Sequence, residues 1–295
     1  VAYLYATARA ELAPTEDQGI VLMQASGPPN GTVNQMQTYA NQIYAIAAAE
    51  PEYEQAFQIT SPTSSFGGIL LKDWSSRSRS ATKFQEDMQQ KWNTIAGARV
   101  AAFQFPALPG AQGLPVQVVI NTTESYEQLN EVSQAVLDKA RRSGNFFFVD
   151  SDLKIDKPQD VLVIDREKVA ALGMTQQQVG AALSAALGGG YVNYFSVSGR
   201  SYRVIPQVKQ VDRLNPDQIL DYYIRTPSGA MIQARTIASI KQRVVPQSIN
   251  HFQQLNSATI SGVSTPFISQ ADLLEYMRQT LKEVAPNGYS MDYAG

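Results

Sequence analysis

Four aspartates, Asp150, Asp152, Asp156 and Asp160, lie close enough together to raise the question of a calcium ion. A calcium loop of the EF-hand type needs a glycine at its sharp turn and a glutamate at its end, and this run has neither. Lys154 and Lys157 interleave it, so it reads as a solvated acidic edge. The chain has one histidine, His251, and no cysteine. That excludes thiol nucleophiles, cysteine zinc sites, disulfide scaffolds and any Ser–His pair not built on His251. His251 sits in an apolar-alternating stretch and reads as structural. Asn121-Thr122-Thr123 fits a glycosylation sequon, a pattern too common to carry weight. What remains is apolar. Side chains alternate between the faces of a strand, so Ala101, Phe103 and Phe105 share one face of a predicted strand at 99–105. Phe57 and Ile59 share a face of another at 53–60. Such residues are either core or the wall of a greasy pocket, where aromatic rings offer broad contact to apolar ligands. Periodicity does not separate the two.

The elements that position these residues repeat one grammar: a short apolar strand, an amphipathic helix with a capping signature, then a returning strand. The first unit has a strand at 19–26, then a helix capped by Thr32 with Gln35 and faced by Val33, Met36, Ala40, Ile43 and Ala47. The second has a strand at 69–72 and a helix with Thr82 and Gln85 as its capping pair and Phe84, Met88, Trp92 and Ile95 as its stripe. The third has a strand at 116–121, a helix capped by Ser125 with Gln128 and faced by Leu129, Val132, Val136 and Ala140, and a strand at 145–149. The fourth comes only after a long insert: a single strand at 251–263, a helix capped by Ser269 with Asp272 and faced by Leu273, Met277, Leu281 and Val284, and a strand at 289–293. Two such units make one split-βαβ, ferredoxin-like layer. The expectation is an α+β chain of two ferredoxin-like layers with a small mixed α/β domain inserted in the second. Between the layers, residues 106–115 hold a cluster of Pro and Gly that marks a boundary. The insert carries a helix capped by Thr175 with Gln178 and stopped by Gly188, a hairpin turning at Ser198-Gly199, and another turning at Pro227-Ser228-Gly229.

With 295 residues and 44% hydrophobic content the chain has material for several cores. A net charge of −2 and the lack of a basic tract argue against nucleic acid and anionic membrane surfaces as partners. No run of 18 apolar residues occurs. The first seven residues are apolar and aromatic and stop at Arg9 and Glu11, so a segment cut from a longer chain is expected.

Several strings resemble one family. Leu12-Ala13-Pro14, followed by Glu16-Asp17-Gln18-Gly19, resembles the segment where the seventh transmembrane helix of a resistance–nodulation–division (RND) efflux transporter enters the periplasm. Leu71-Lys72-Asp73-Trp74 is similar to the strand end after that family's switch loop. Asp165-Arg166-Glu167-Lys168, Ala171-Leu172-Gly173 and Gly189-Gly190-Tyr191-Val192-Asn193 resemble its docking subdomain. Asn287-Gly288-Tyr289 and Tyr293-Ala294-Gly295 resemble the run into the eighth transmembrane helix. The likeness covers the chain in order and points to the multidrug (hydrophobe/amphiphile) branch.

That resemblance implies two C-terminal porter subdomains, 15–113 and 114–150 with 240–295, and a docking subdomain at 151–239. It implies a cleft between the porter layers that takes amphiphilic small molecules, with Gln24, Ser26, Phe57, Ile59, Thr60, Phe66, Ala101, Phe103 and Phe105 as its lining. It makes residues 61–68 a mobile switch loop, with Ser61, Pro62, Gly67 and Gly68 as its turning and hinge residues. It sets the turn Pro227, Ser228, Gly229 at the membrane-distal tip, facing a periplasmic adaptor protein and an outer-membrane channel, in a homotrimer. No cofactor, metal or catalytic residue is implied, and the proton-carrying residues lie in membrane helices outside this chain. The chain departs from the best-known members in three ways. The switch segment is several residues shorter with a single Phe, Ala101 replaces an aromatic, and Asp150-Ser151 replaces a basic residue.

Two readings from other classes fit these residues less well. A ferredoxin-like small-molecule enzyme domain needs a titratable cluster in a cleft, which the residues do not supply. A soluble periplasmic adaptor needs long heptad hairpins, which are absent from the pattern.

Overall fold

The computed structural model describes residues 16–105, 113–266 and 268–293. Leu12-Ala13-Pro14, the apolar start at 1–7, most of the boundary at 106–115 and Ala294-Gly295 lie outside them. The chain is a mixture of helices and several β-sheets, and it divides into two compact units. The smaller is Pro158–Val244; the larger is built from residues up to Lys157 and from Val245 onward.

The larger unit holds two sheets. The first comprises β1 (Ile20–Ser26), β2 (Tyr53–Thr60), β3 (Ser64–Leu71) and β4 (Arg99–Phe103), all antiparallel, in the order β2-β3-β1-β4. Helices α1 (Val33–Ala48) and α2 (Ala81–Trp92) pack on one of its faces. Their stripes do what the spacing predicts: Met36, Ile43 and Ala47 of α1 and Phe84, Met88 and Trp92 of α2 meet Val21, Met23 and Ala25 of β1. Val33 is the exception and is exposed. Trp92 is fully buried, and its Nε1–H donates to the Ile43 carbonyl at 3.2 Å, which lets a polar ring atom lie in the core.

The second sheet comprises β5 (Val116–Thr122), β6 (Phe146–Ser151), β14 (Leu255–Ser264) and β15 (Tyr289–Tyr293), with a short strand β13 (Asn250–Phe252) beside β14. Taken by position in the chain, its four main strands follow the same neighbour order as the first sheet: β6-β14-β5-β15. Helices α3 (Tyr126–Arg142) and α6 (Gln270–Val284) cover it, with Leu129, Val136, Leu137, Met277 and Leu281 in a core with Val118, Ile120 and Ile260. The Ser125–Gln128 capping box closes in both directions.

Three local expectations are corrected. The N-cap of α2 is Ser80, whose Oγ accepts from the Lys83 N–H at 3.2 Å, and Thr82 lies inside the helix. Both hydroxyl residues satisfy the composition rule, and the Asp17 carboxylate decides between them by accepting the Ala81 N–H at 2.8 Å. The strand expected at 251–263 is a hairpin: Gln253 and Gln254 take positive φ, 50° and 67°, and turn β13 back onto β14. Finally, residues 61–68 are not a loop. Ser61–Thr63 make a tight turn closed by Ser61 N–H to the Ser64 carbonyl at 2.8 Å, and Phe66, Gly67 and Gly68 lie within β3. That strand pairs on both edges, with β1 and β2, so Gly67 and Gly68 are fixed in the sheet interior.

In the smaller unit, β7 (Ile155–Ile164) and β12 (Ala238–Pro246) pair and carry the chain in and out. Helices α4 (Arg166–Ala171) and α5 (Gln176–Leu187) supply Val169, Val179 and Leu183 to a core with Ile224, Ala234 and Ile237. Thr175 caps α5 reciprocally with Gln178, and Gly188 ends it in the left-handed region at φ 80°. The hairpin of β8 (Asn193–Val197) and β9 (Arg200–Val204) turns at Ser198-Gly199, both at positive φ as a two-residue turn requires.

Candidate functional site

Register decides which side chains meet on the face of the first sheet turned away from its helices. One row across the sheet is Phe57, Gly68, Leu22 and Phe103; the next is Ile59, Phe66, Gln24 and Ala101. Ser26 follows Gln24 on the same face of β1, opposite Arg99. The sheet therefore brings together Gln24, Ser26, Phe57, Ile59, Phe66, Ala101 and Phe103. It does not bring in Thr60, which shares the helix-side face with Ser65, their hydroxyl oxygens 3.5 Å apart. Phe105 lies beyond the end of β4 and is exposed.

The two halves of this face differ. On the β1–β4 side Leu22, Ala101 and Phe103 are buried against Leu114 and Val263, with Ile20 and Phe148 packed alongside. Val263 and Phe148 belong to the second sheet, so this is the seam between the two layers. Ala101 and Phe103 are thus core residues here, at 0% and 3% exposure. On the β2–β3 side nothing among the described residues covers the face. Phe57, Ile59, Phe66 and Leu70 are 46%, 65%, 40% and 41% exposed. The Phe57 and Phe66 rings lie 6.2 Å apart, and the Phe57 ring sits over Gly68, where a Cβ would be only 2.7 Å from it. Gly68 leaves open the space that the ring occupies.

A charge cluster closes the rim of the seam. Arg99 donates from Nη1 to Asp150 Oδ1 at 2.5 Å and from Nη2 to the Val149 carbonyl at 2.7 Å, joining β4 to β6. Lys154 Nζ reaches Asp150 Oδ2 at 2.7 Å, and Arg141 Nη2 stands 3.5 Å from Oδ1. Burial, then repulsion from Arg99, pushes the Arg141 guanidinium below its ordinary pKa, against the pull of Asp150 and Asp138. Of the aspartate run, Asp150 is absorbed by these cations and Asp152 by the Thr259 N–H and the Asn250 amide.

The sequence reading missed Leu22, Leu70, Phe148, Val263 and the Arg99–Asp150 pair. Alternation in Phe66-Gly67-Gly68-Ile69-Leu70 puts Leu70 on the Phe66 face, and the same rule puts Arg99 with Ala101, so those two were legible. Phe148 and Val263 join the site through packing between sheets, which period alone does not report.

In the smaller unit, Pro227-Ser228-Gly229 turns β10 (Tyr223–Arg225) into β11 (Met231–Gln233). Thr226 N–H donates to the Ala230 carbonyl at 2.9 Å, the Thr226 and Ser228 hydroxyl oxygens are 2.9 Å apart, and Gly229 takes φ 88°.

Residues 1–295 match the model of the AcrB/AcrD/AcrF family. The chain is 33% identical over 295 residues to an uncharacterized transporter of Haemophilus influenzae, covering 99% of this chain and 29% of that protein. It is 26% identical over 307 residues to the multidrug/solvent efflux pump membrane transporter MepB of Pseudomonas putida, again 99% and 29%. It is 25% identical over 300 residues to the multidrug export protein AcrF of Escherichia coli, 96% and 29%. The chain thus spans under a third of these relatives, and among the described residues no helix is long and apolar enough to cross a membrane.

Proposed function

The chain belongs to the AcrB/AcrD/AcrF family of RND efflux transporters, and from that premise we propose that it is the second large periplasmic loop of a proton-driven multidrug pump. In this reading the two sheets of the larger unit are split-βαβ porter layers, 15–113 and 114–150 with 240–295, and the insert at 151–239 is the docking subdomain. Amphiphilic small molecules bind on the shared face between the layers. They pass toward an outer-membrane channel when the layers change their separation, driven by protonation elsewhere in the pump. A periplasmic adaptor and two further copies of the chain complete the assembly, with the turn at Pro227, Ser228 and Gly229 at the docking end.

One observation carries the reading: a continuous, mainly apolar sheet face, interrupted by Gln24, Ser26 and Arg99, sealed on one half by the second layer and bare on the other. A contiguous exposed patch of two aromatic rings with Ile59 and Leu70 is what a soluble surface avoids unless something binds there. The short turn at 61–63 gives this chain no loop to divide the face, so bulky and small ligands share one undivided surface. The test is efflux by the transporter carrying this chain in cells lacking other pumps. Ser in place of Phe57, Ile59 and Phe66 together should abolish export of amphiphilic dyes at unchanged protein abundance. Unchanged export would reject the face as the binding surface.

A further inference from the structure

The ion pair across the seam is unequal in what each side keeps. Arg99 belongs to the first layer, and both of its hydrogen-bond acceptors, Asp150 Oδ1 and the Val149 carbonyl, belong to the second. Its guanidinium also lies 5.3 Å over the Phe148 ring, again in the second layer. Asp150 keeps two cations on its own side of the seam, Arg141 of α3 at 3.5 Å and Lys154, four residues further on, at 2.7 Å. When the layers part, Asp150 stays neutralised, whereas Arg99 loses every partner and makes no other ion pair among the described residues. The parted seam would therefore present a bare guanidinium beside Ala101, Leu22 and Phe103. The Arg99 side chain is 42% exposed even with the layers together, so once freed its guanidinium is open to a ligand, and an arginine fork is shaped for a planar or tetrahedral oxyanion.

The geometry points to a preference for anionic amphiphiles, those carrying a carboxylate or sulfonate on an apolar body. The head group takes the place of Asp150 on Arg99, and the apolar body lies on Ala101, Phe103 and Phe148. This rests on the proposal above that ligands enter between the layers. A cationic amphiphile would meet Arg99, Arg141 and Lys154 around a single Asp150 and be disfavoured by charge.

The test is fluorescence titration of the energised full transporter carrying this chain, reconstituted in proteoliposomes, with two dyes sharing one ring skeleton, anilinonaphthalene sulfonate and the uncharged phenylnaphthylamine. The sulfonate should bind about tenfold tighter, the effect of one charge-assisted hydrogen-bonded pair. Arg99→Gln should erase that difference while leaving phenylnaphthylamine unchanged, Arg99→Lys should retain part of it, and Asp150→Asn, which frees Arg99 without removing it, should strengthen sulfonate binding. Phe103→Ala should weaken both dyes, and circular dichroism of each variant verifies folding. If Phe103→Ala weakens both dyes but the two bind equally in the parent chain, the charge inference is wrong and the layer reading stands. If neither dye responds to Phe103→Ala, the seam is not the site and both fall.

Discussion

Gly67 and Gly68 are adjacent in β3, yet alanine should act very differently at the two. A Cβ on Gly67 would stand 2.4 Å from the Phe57 carbonyl oxygen, 1.0 Å inside the 3.4 Å at which ordinary contact begins. That oxygen is backbone of the paired strand β2, so relief requires β2 and β3 to move apart. Gln58 Cγ and Met23 Cε, both at 3.0 Å, close the remaining space. Overpacking of this kind costs ~1–3 kcal/mol, and each weakened ladder hydrogen bond adds ~1. The stiffer unfolded chain returns ~0.4–1 kcal/mol, leaving a net loss of about 2–4. A Cβ on Gly68 meets instead the Phe57 ring at 2.7 Å and Ile20 Cδ1 at 3.3 Å. The half-exposed ring can swing outward, so Gly68→Ala should cost under ~1 kcal/mol. At roughly 2–4 °C per kcal/mol for a unit of this size, Gly67→Ala should lower Tm by about 4–16 °C and Gly68→Ala by no more than ~4 °C. Thermal unfolding followed by circular dichroism reads both. A Gly67→Ala variant melting within ~2 °C of the parent, or a more damaging Gly68→Ala, would refute the reasoning that these glycines are locked in a sheet interior.

Glu52, buried just before β2, is held at a pKa of about 2 chiefly by hydrogen bonds from Arg79, with the Ser78 hydroxyl adding to it against burial. A depressed carboxylate contributes stability above its unfolded value of 4.5 and loses it as pH falls through about 2. Urea unfolding from about pH 5 down to about pH 2 should show a fall of up to ~3 kcal/mol in the parent that Glu52→Gln lacks, and parallel profiles would exclude this pair as the cause. A photoreactive group at Ser228 in the full pump should capture the adaptor or the outer-membrane channel; label found only on membrane-proximal segments would overturn the docking assignment.

What was legible in the chain was local. Caps at Thr32, Ser125, Thr175 and Ser269 and the stripes behind them follow from bonds and contacts three or four residues apart, which spacing reports directly. The turns at Ser198-Gly199 and Pro227-Ser228-Gly229 were equally local. Ser80 displaced Thr82 because the deciding acceptor, Asp17, lies far off in sequence. The hairpin at Gln253-Gln254 was hidden because positive φ at two glutamines leaves no Gly or Asn to announce it. Residues 61–68 read as a loop on composition, but double-edged pairing made Gly67 and Gly68 strand residues. There, two glycines permit close approach of Phe57 rather than mobility. For the site, alternation found that Ala101 and Phe103 share one face of their strand and that Phe57 and Ile59 share a face of theirs. It could not say that the first two would be sealed by Val263 and Phe148 while the last two stayed bare, because that is settled by one sheet packing on another.

The central claim is that substrates bind between the layers, and position 103 tests it most directly because the side chain there is 3% exposed with the layers together. A benzophenone amino acid replacing Phe103 in the membrane-embedded transporter should form adducts with an amphiphilic dye when the pump is energised and few when it is not. The same group replacing Phe57 should label in both conditions. Adducts at 57 alone, with none at 103 in an energised pump that still exports the dye, would contradict the account.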